Sequence, residues 1–286
     1  FSGKRCPSGA RSLAAPQARH GAGEVIGLSM VALFLRSLLY NILFYLNLVF
    51  WVLLGLPTYV MPRWGIIWIA QNWGKTSIWL MRVVCNTRVE YRGLEKIPPG
   101  PLLVASKHQS AWETFALLQF FKRPLYILKR ELTWLPLFGW YLLKAGMIGV
   151  NRGAGGRVLI DMFKRARDEV RGGRQLIIFP EGTRMPVGAP PQYKSGVSQL
   201  YVSCNVACVP VALNAGMFWP RRSFLRYPGT LVVEFLDPIP PGLKRDEFTA
   251  RVSAAIEGAT ASLVKAAQDE QIRLLGFSAP VMDAAS

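Results

Sequence analysis

Leu176 to Arg184 reads LIIFPEGTR. Leu176, Ile177, Ile178 and Phe179 run without interruption into Pro180, Glu181, Gly182, Thr183 and Arg184. A short apolar run closed by turn-forming residues reads as a strand covered on both faces, the kind found in parallel sheets. Such polar density at the end of a core strand is more than folding requires, and it marks the loop for chemistry. Arg184 offers a two-pronged fork for a phosphate, Glu181 can accept a hydrogen bond from a substrate hydroxyl, and Thr183 with nearby backbone amides can face developing negative charge.

The texture around this stretch repeats. Further strand-like runs are TRVEYRG, PLLVASK, LYILK, GMIGVNR, VACVPVALN and TLVVEFLD. Helical patterns lie between them, starting near Ala111, near Arg157 and near Ser195, and covering Arg245 to Leu263. The alternation predicts one α/β domain over residues 86–275, with a mixed, largely parallel sheet flanked by helices. In such sheets, sites form where loops leave the carboxyl ends of strands. The Pro-rich tracts near Pro99, Pro186 and Pro238 read as loops, and residues 276–286 as a frayed tail.

Two other strand exits carry charge. PLLVASK leads into HQSAWE, which holds His108, one of two histidines in 286 residues, and Glu113 five positions on. Residues five apart point about 140° away from each other on a regular helix. The pair can meet only if His108 lies in the turn and Glu113 in the first helical turn, where a carboxylate also suits the helix dipole. That geometry suits a general base held by an orienting acid. The other exit, MIGVNRGAGGR, ends in Asn151 and Arg152 before a Gly-rich turn, a position that suits a phosphate or carboxylate. LKRELTWLPLFGWYL brings Lys129, then a large aromatic and apolar patch that can flank an acyl groove. YKSGVSQL, around Lys194 and Gly196, reads as the structural start of a helix.

Ahead of the domain, residues 30–85 predict a membrane-associated helical hairpin. Val31 to Pro57 is apolar over roughly membrane-spanning length, broken only by Arg36, Asn41 and Asn47. The segment that follows, IIWIAQNWGKTSIWLMRVVC, is amphipathic. The hairpin either spans once or lies within one leaflet. Residues 1–29, rich in Gly, Ala, Ser and Arg, read as a disordered extension, and Met30 opens a more ordinary start for the natural product.

Lys and Arg number 34 against 17 Asp and Glu, a net charge of +17, with a pI near 10.2 and a mean hydropathy of +0.23. A basic and apolar chain favours an anionic membrane face over nucleic acid. The four cysteines, Cys6, Cys85, Cys204 and Cys208, are scattered and read as reduced cytosolic thiols.

Taken together and in order, HQSAWE, GVNR, FPEGTR and VPVAL (Val209 to Leu213) resemble the four motif blocks of the glycerolipid acyltransferase family, above all its bacterial lysophosphatidic acid acyltransferases. The resemblance implies the glycerol-phosphate acyltransferase fold. It implies His108 as general base, with Glu113 where the family usually has Asp. It implies Lys129, Arg152 and Arg184 as phosphate ligands, Glu181 and Gly182 in the glycerol-binding segment, and Pro210 near the acyl groove. The extra methylene of Glu113 requires either a wider turn or an acid that bends back. The implied reaction moves an acyl group from acyl carrier protein or coenzyme A to the 2-hydroxyl of 1-acyl-sn-glycerol-3-phosphate. It is expected to need no metal or cofactor and to take place at the inner membrane, with the catalytic domain facing the cytoplasm. The rivals are another acceptor, a lyso-aminolipid or glycerol-3-phosphate, and a non-catalytic membrane-surface binding protein.

Overall fold

The computed structural model describes residues 18–151 and 156–282; for residues 18–28, 156 and 157 it describes the backbone alone. Cys6 and Arg152 therefore lie outside the described residues. Two long helices come first, α1 (Ala18–Leu54) and α2 (Arg63–Cys85). The strands are β1 (Thr87–Arg92), β2 (Leu102–Ser106), β3 (Pro124–Lys129), β4 (Ile148–Val150), β5 (Gln175–Ile178), β6 (Cys208–Leu213) and β7 (Gly229–Phe235). Between and after them lie α3 (Trp112–Ala116), α4 (Phe138–Lys144), α5 (Gly156–Arg171), α6 (Ser195–Cys204) and α7 (Arg245–Leu275).

The strands form one sheet in the order β1-β7-β6-β2-β5-β3-β4. Only β6 and β7 pair antiparallel; every other neighbour is parallel. This is the mixed, largely parallel α/β sheet expected. Its central strands β2 and β6 are buried along their whole length, which is why they read as unbroken apolar runs. Alternation along β2 sends Leu102 and Val104 to one core and Leu103 and Ala105 to the other. The first core packs under the N-terminal hairpin with Met81, Trp112, Phe115 and Trp219. The second is closed by α5, α6 and α7 through Ala166, Leu200, Phe248 and Val252.

The hairpin is inverted relative to a soluble helix pair. Its polar groups face inward: Asn47 Nδ2 donates to Ser77 Oγ (3.0 Å), Trp51 Nε1 to Thr76 Oγ1 (2.9 Å), and Gln71 Nε2 to the carbonyls of Leu118 and Phe121 (both 3.0 Å). Its outer surface is mostly apolar, with Phe34, Leu46, Phe50, Trp64 and Trp79 exposed, and carries Arg36, Arg63, Lys75 and Arg82 as well. Gly74 lets α2 close on α3, because a Cβ there would lie 2.9 Å from the Phe115 carbonyl oxygen. Helix α1 touches the α/β domain at its middle and near its C-terminal end. Ser37 Oγ accepts from the Arg226 amide (2.8 Å), Arg226 binds Asn41 Oδ1 (2.9 Å), and the Tyr141 hydroxyl donates to the Val52 carbonyl (2.6 Å).

Four details depart from the sequence reading. Helix α1 starts at Ala18, inside the stretch expected to be disordered, because a helix once nucleated gains a hydrogen bond for each residue it adds. Helix α4 forms where the sequence offered only an apolar patch. Helix α7 runs on to Leu275, and the segment after it is tied down rather than frayed up to Met282. Ala279 is buried, its amide donates to Gln271 Oε1 (2.9 Å), and the Met282 amide donates to the Val187 carbonyl (2.8 Å). Cys85, Cys204 and Cys208 are buried free thiols.

Candidate active site

Five parallel strands, β2 to β6, release their loops at one edge of the sheet, and the site is built there. The β2 exit holds His108. Its Nδ1 lies 2.8 Å from Glu113 Oε1. The same oxygen accepts the backbone amides of Gln109 (2.8 Å) and Ser110 (2.7 Å). Glu113, fully buried in the first turn of α3, thus bends back over the loop that precedes it. That resolves how the longer acid reaches the imidazole: the turn stays tight and the side chain folds back. An oxygen already accepting two N–H groups calls for a third donor, so Nδ1 carries a proton, and in the neutral ring Nε2 is the nitrogen with the lone pair. The imidazole stacks on Phe179, centroids 3.9 Å apart and 15° from parallel. Phe179 in turn stacks on buried Tyr126. Burial, with the Glu113 charge nearby, pushes the Tyr126 hydroxyl well above its usual range, so it stays neutral.

The β5 exit supplies the opposite wall. Gly182 turns the chain at φ 68°, and its amide donates to the Phe179 carbonyl (2.9 Å). The Met185 amide donates to the His108 carbonyl (2.8 Å), which fixes Arg184 one residue from a direct contact with the imidazole loop. Thr183 is exposed and Arg184 half-buried. Among the described residues, neither has a side-chain hydrogen bond or ion pair, so both remain available to a ligand.

Residues 88–214, which contain both of these loops, match the Acyltransferase family model. That stretch is similar to the acyltransferase family over a little under half of the chain. The chain is 42% identical over 165 residues to a 1-acyl-sn-glycerol-3-phosphate acyltransferase of Pseudomonas aeruginosa, covering 58% of this chain and 64% of that relative's length. A lyso-ornithine lipid O-acyltransferase of the same organism is 28% identical over 199 residues, 63% of this chain and 76% of that one. The crystal structure of the 1-acyl-sn-glycerophosphate acyltransferase of Thermotoga maritima shares the fold, with a TM-score of 0.66 at 22% identity, covering 80% of this chain and 97% of that one.

Within the α/β domain, Glu181 is placed differently from the reading as a substrate ligand. Its side chain is 1% exposed, and Lys107 Nζ lies 2.8 Å from its Oε1. The His108 backbone also hydrogen-bonds to it. Burial raises the Glu181 carboxyl above its ordinary range, and Lys107 offsets part of that shift. Lys107 Nζ is shared with Glu257 of α7, at 2.8 and 3.0 Å, and the Tyr193 hydroxyl donates to Glu257 Oε1 (2.9 Å). A carboxylate held this way positions the His108 loop and is not open to a glycerol hydroxyl.

Pro210 is a strand residue. It lies within β6 opposite Ala105, and alternation turns Val209 and Val211 to the hairpin side, with Pro210 on the other face. Lys129 ends β3, separated from β2 by β5, and pairs with Glu131 (3.1 Å) in solvent. It stands at the correct edge, about 10 Å of strand spacing from β2.

Sequence reasoning missed Lys107, Gln109, Phe179 and Glu257. The signal for Lys107 was present: a lysine directly after a fully apolar strand needs buried counter-charges. Gln109 Oε1 accepts the Gly216 amide (3.1 Å), and beside it opens a cavity of about 570 Å³ lined by Val187, Arg221, Arg222 and Val281.

Proposed function

We propose that this chain transfers a fatty acyl group from a thioester, on acyl carrier protein or coenzyme A, to the free 2-hydroxyl of 1-acyl-sn-glycerol-3-phosphate, giving phosphatidic acid. The observation that carries this reading is the joining of two loops: an imidazole backed by a buried carboxylate, hydrogen-bonded through Met185 to the loop that presents Arg184. The name of the Pseudomonas relative supports the same acceptor.

In this scheme His108 Nε2 takes the 2-hydroxyl proton as that oxygen attacks the thioester carbonyl carbon. Thr183 and neighbouring amides stabilise the tetrahedral oxyanion. The C–S bond then breaks, and the departing thiolate recovers the proton from the imidazolium. The substrate hydroxyl is the nucleophile, so the scheme passes through no acyl-enzyme and uses no metal or other cofactor. Arg184, with Lys129 and Arg152, holds the phosphate and orients the hydroxyl.

The membrane is the source of the acceptor. Ser29–Leu54 has a mean hydropathy of 1.9, and the outward face of both hairpin helices is mostly apolar. The contacts of α1 with the domain near Ser37 and again at Val52 support a helix lying along the domain in one leaflet; we propose that this leaflet is on the cytoplasmic side of the inner membrane. A second reading, acylation of an amino-acid lysolipid, draws on the long alignment to the lyso-ornithine lipid enzyme. The carboxylate of such a lysolipid would pair with the same guanidinium. A panel of lysolipid acceptors offered to the purified full chain separates the two. Turnover highest with lysophosphatidic acid supports the proposal; turnover confined to an amino-acid lysolipid overturns it.

A further inference from the structure

Between β3 and β4 the chain makes a 3-10 turn, Arg130–Trp134, and then helix α4. Leu132, Trp134, Leu135, Trp140 and Leu143 all stand exposed on this short segment, Trp134 at 66%. The segment is firmly built. The Thr133 hydroxyl donates to the Arg130 carbonyl (2.6 Å), and Gly139 leaves no room for a Cβ against the Thr133 backbone. Leu137 is held at φ 61°, a conformation costly for any residue but glycine. These side chains are therefore presented outward by a strained, closed turn rather than left loose.

The turn is also clamped to the membrane hairpin. Tyr59 stacks on Tyr141 at 4.9 Å, its hydroxyl donates to the Leu137 carbonyl (3.3 Å), and Lys144 Nζ donates to the Tyr59 carbonyl (3.0 Å). The exposed apolar face of α1 thereby continues through Leu53, Leu56 and Val60 onto Trp134 and Trp140. Arg63, Lys129 and Arg130 carry positive charge around it.

We propose that residues 130–144 form a second lipid-contacting element, seated in the headgroup and upper acyl region of an anionic bilayer beside the C-terminal end of α1. Continuity with the apolar face of α1 names the bilayer as occupant, and paired tryptophans with flanking cations are the side chains suited to that interface. The element brings Lys129 and Arg130 to headgroup depth, so a lysolipid phosphate reaches the strand exits by lateral diffusion. This inference rests on the membrane reading above.

The test is nitroxide labelling of the full chain with Cys6→Ser, at Leu46→Cys on α1 and at Leu135→Cys and Leu143→Cys, in vesicles of phosphatidylcholine and phosphatidylglycerol. The expected result is that all three labels collide more often with oxygen than with a water-soluble nickel chelate. A label at 46 in lipid with those at 135 and 143 in water overturns the second element and leaves the membrane reading standing. All three in water overturns both. Labels at 135 and 143 shielded from both relaxants, as a protein partner or second copy would shield them, also overturns it.

Discussion

Lys107 and Glu181 form a buried ion pair, Nζ to Oε1 2.8 Å, that joins the residue before His108 to the loop presenting Arg184. Their side chains are 4% and 1% exposed. The pair links the exits of β2 and β5 by charge, as the Met185 to His108 hydrogen bond does by backbone.

Removing one partner of such a pair leaves a buried charge uncompensated, at a cost of about 3–5 kcal/mol. Lys107→Met should therefore lower the unfolding midpoint sharply, because Glu181 and Glu257 both lose their cation. Glu181→Gln should cost less, since Lys107 keeps Glu257. Denaturant unfolding of both variants checks the order; equal and small losses would show that the pair is dispensable.

Glu181 also predicts a pH dependence. Burial raises its carboxyl above the ordinary value of about 4.3, so the folded chain binds this proton more tightly than the unfolded chain does. Between the ordinary and the raised value the folded state holds more protons, and stability from this group is lost as pH rises through that window. Melting curves from about pH 4 to neutrality should show wild type losing ground to Glu181→Gln as pH rises. A constant difference would contradict the assignment.

His108→Ala should keep its fold and lose about a hundredfold to ten-thousandfold in kcat, the usual worth of a general base. Near wild-type turnover would end that role. Glu113→Asp shortens a side chain whose one oxygen gathers Nδ1 and two amides, so it should lower kcat while leaving KM for the acceptor nearly unchanged. A change in KM alone would mean that Glu113 acts on substrate rather than on the imidazole.

Arg184 has no side-chain partner among the described residues, so Arg184→Ala should leave stability unchanged. Losing a charge-assisted hydrogen bond costs about 1.5–3 kcal/mol, roughly a ten- to hundredfold rise in KM for phosphate-bearing acceptors. Neutral lysolipids should be affected little. Equal rises for both acceptor types would remove the phosphate role.

Much of this was legible in the residue order. Every strand overlaps a run whose apolar pattern marks it, because a buried strand is recorded in its own side chains. The spacing of His108 and Glu113 demanded a turn followed by a helix start, and the chain folds that way. Arg152 lies outside the described residues.

Periodicity reports how one element faces its surroundings; it says nothing of which element lies opposite. The tertiary fold alone decided that Lys107 meets Glu181, 74 residues on, and Glu257, 150 residues on. It set β5 between β2 and β3, against chain order, which brought Phe179 onto His108 and turned Glu181 from a substrate ligand into a support. It also laid α1 along the domain and fixed α4 with Trp140 outward, since contacts between distant segments depend on strand order and helix packing, which no local pattern encodes.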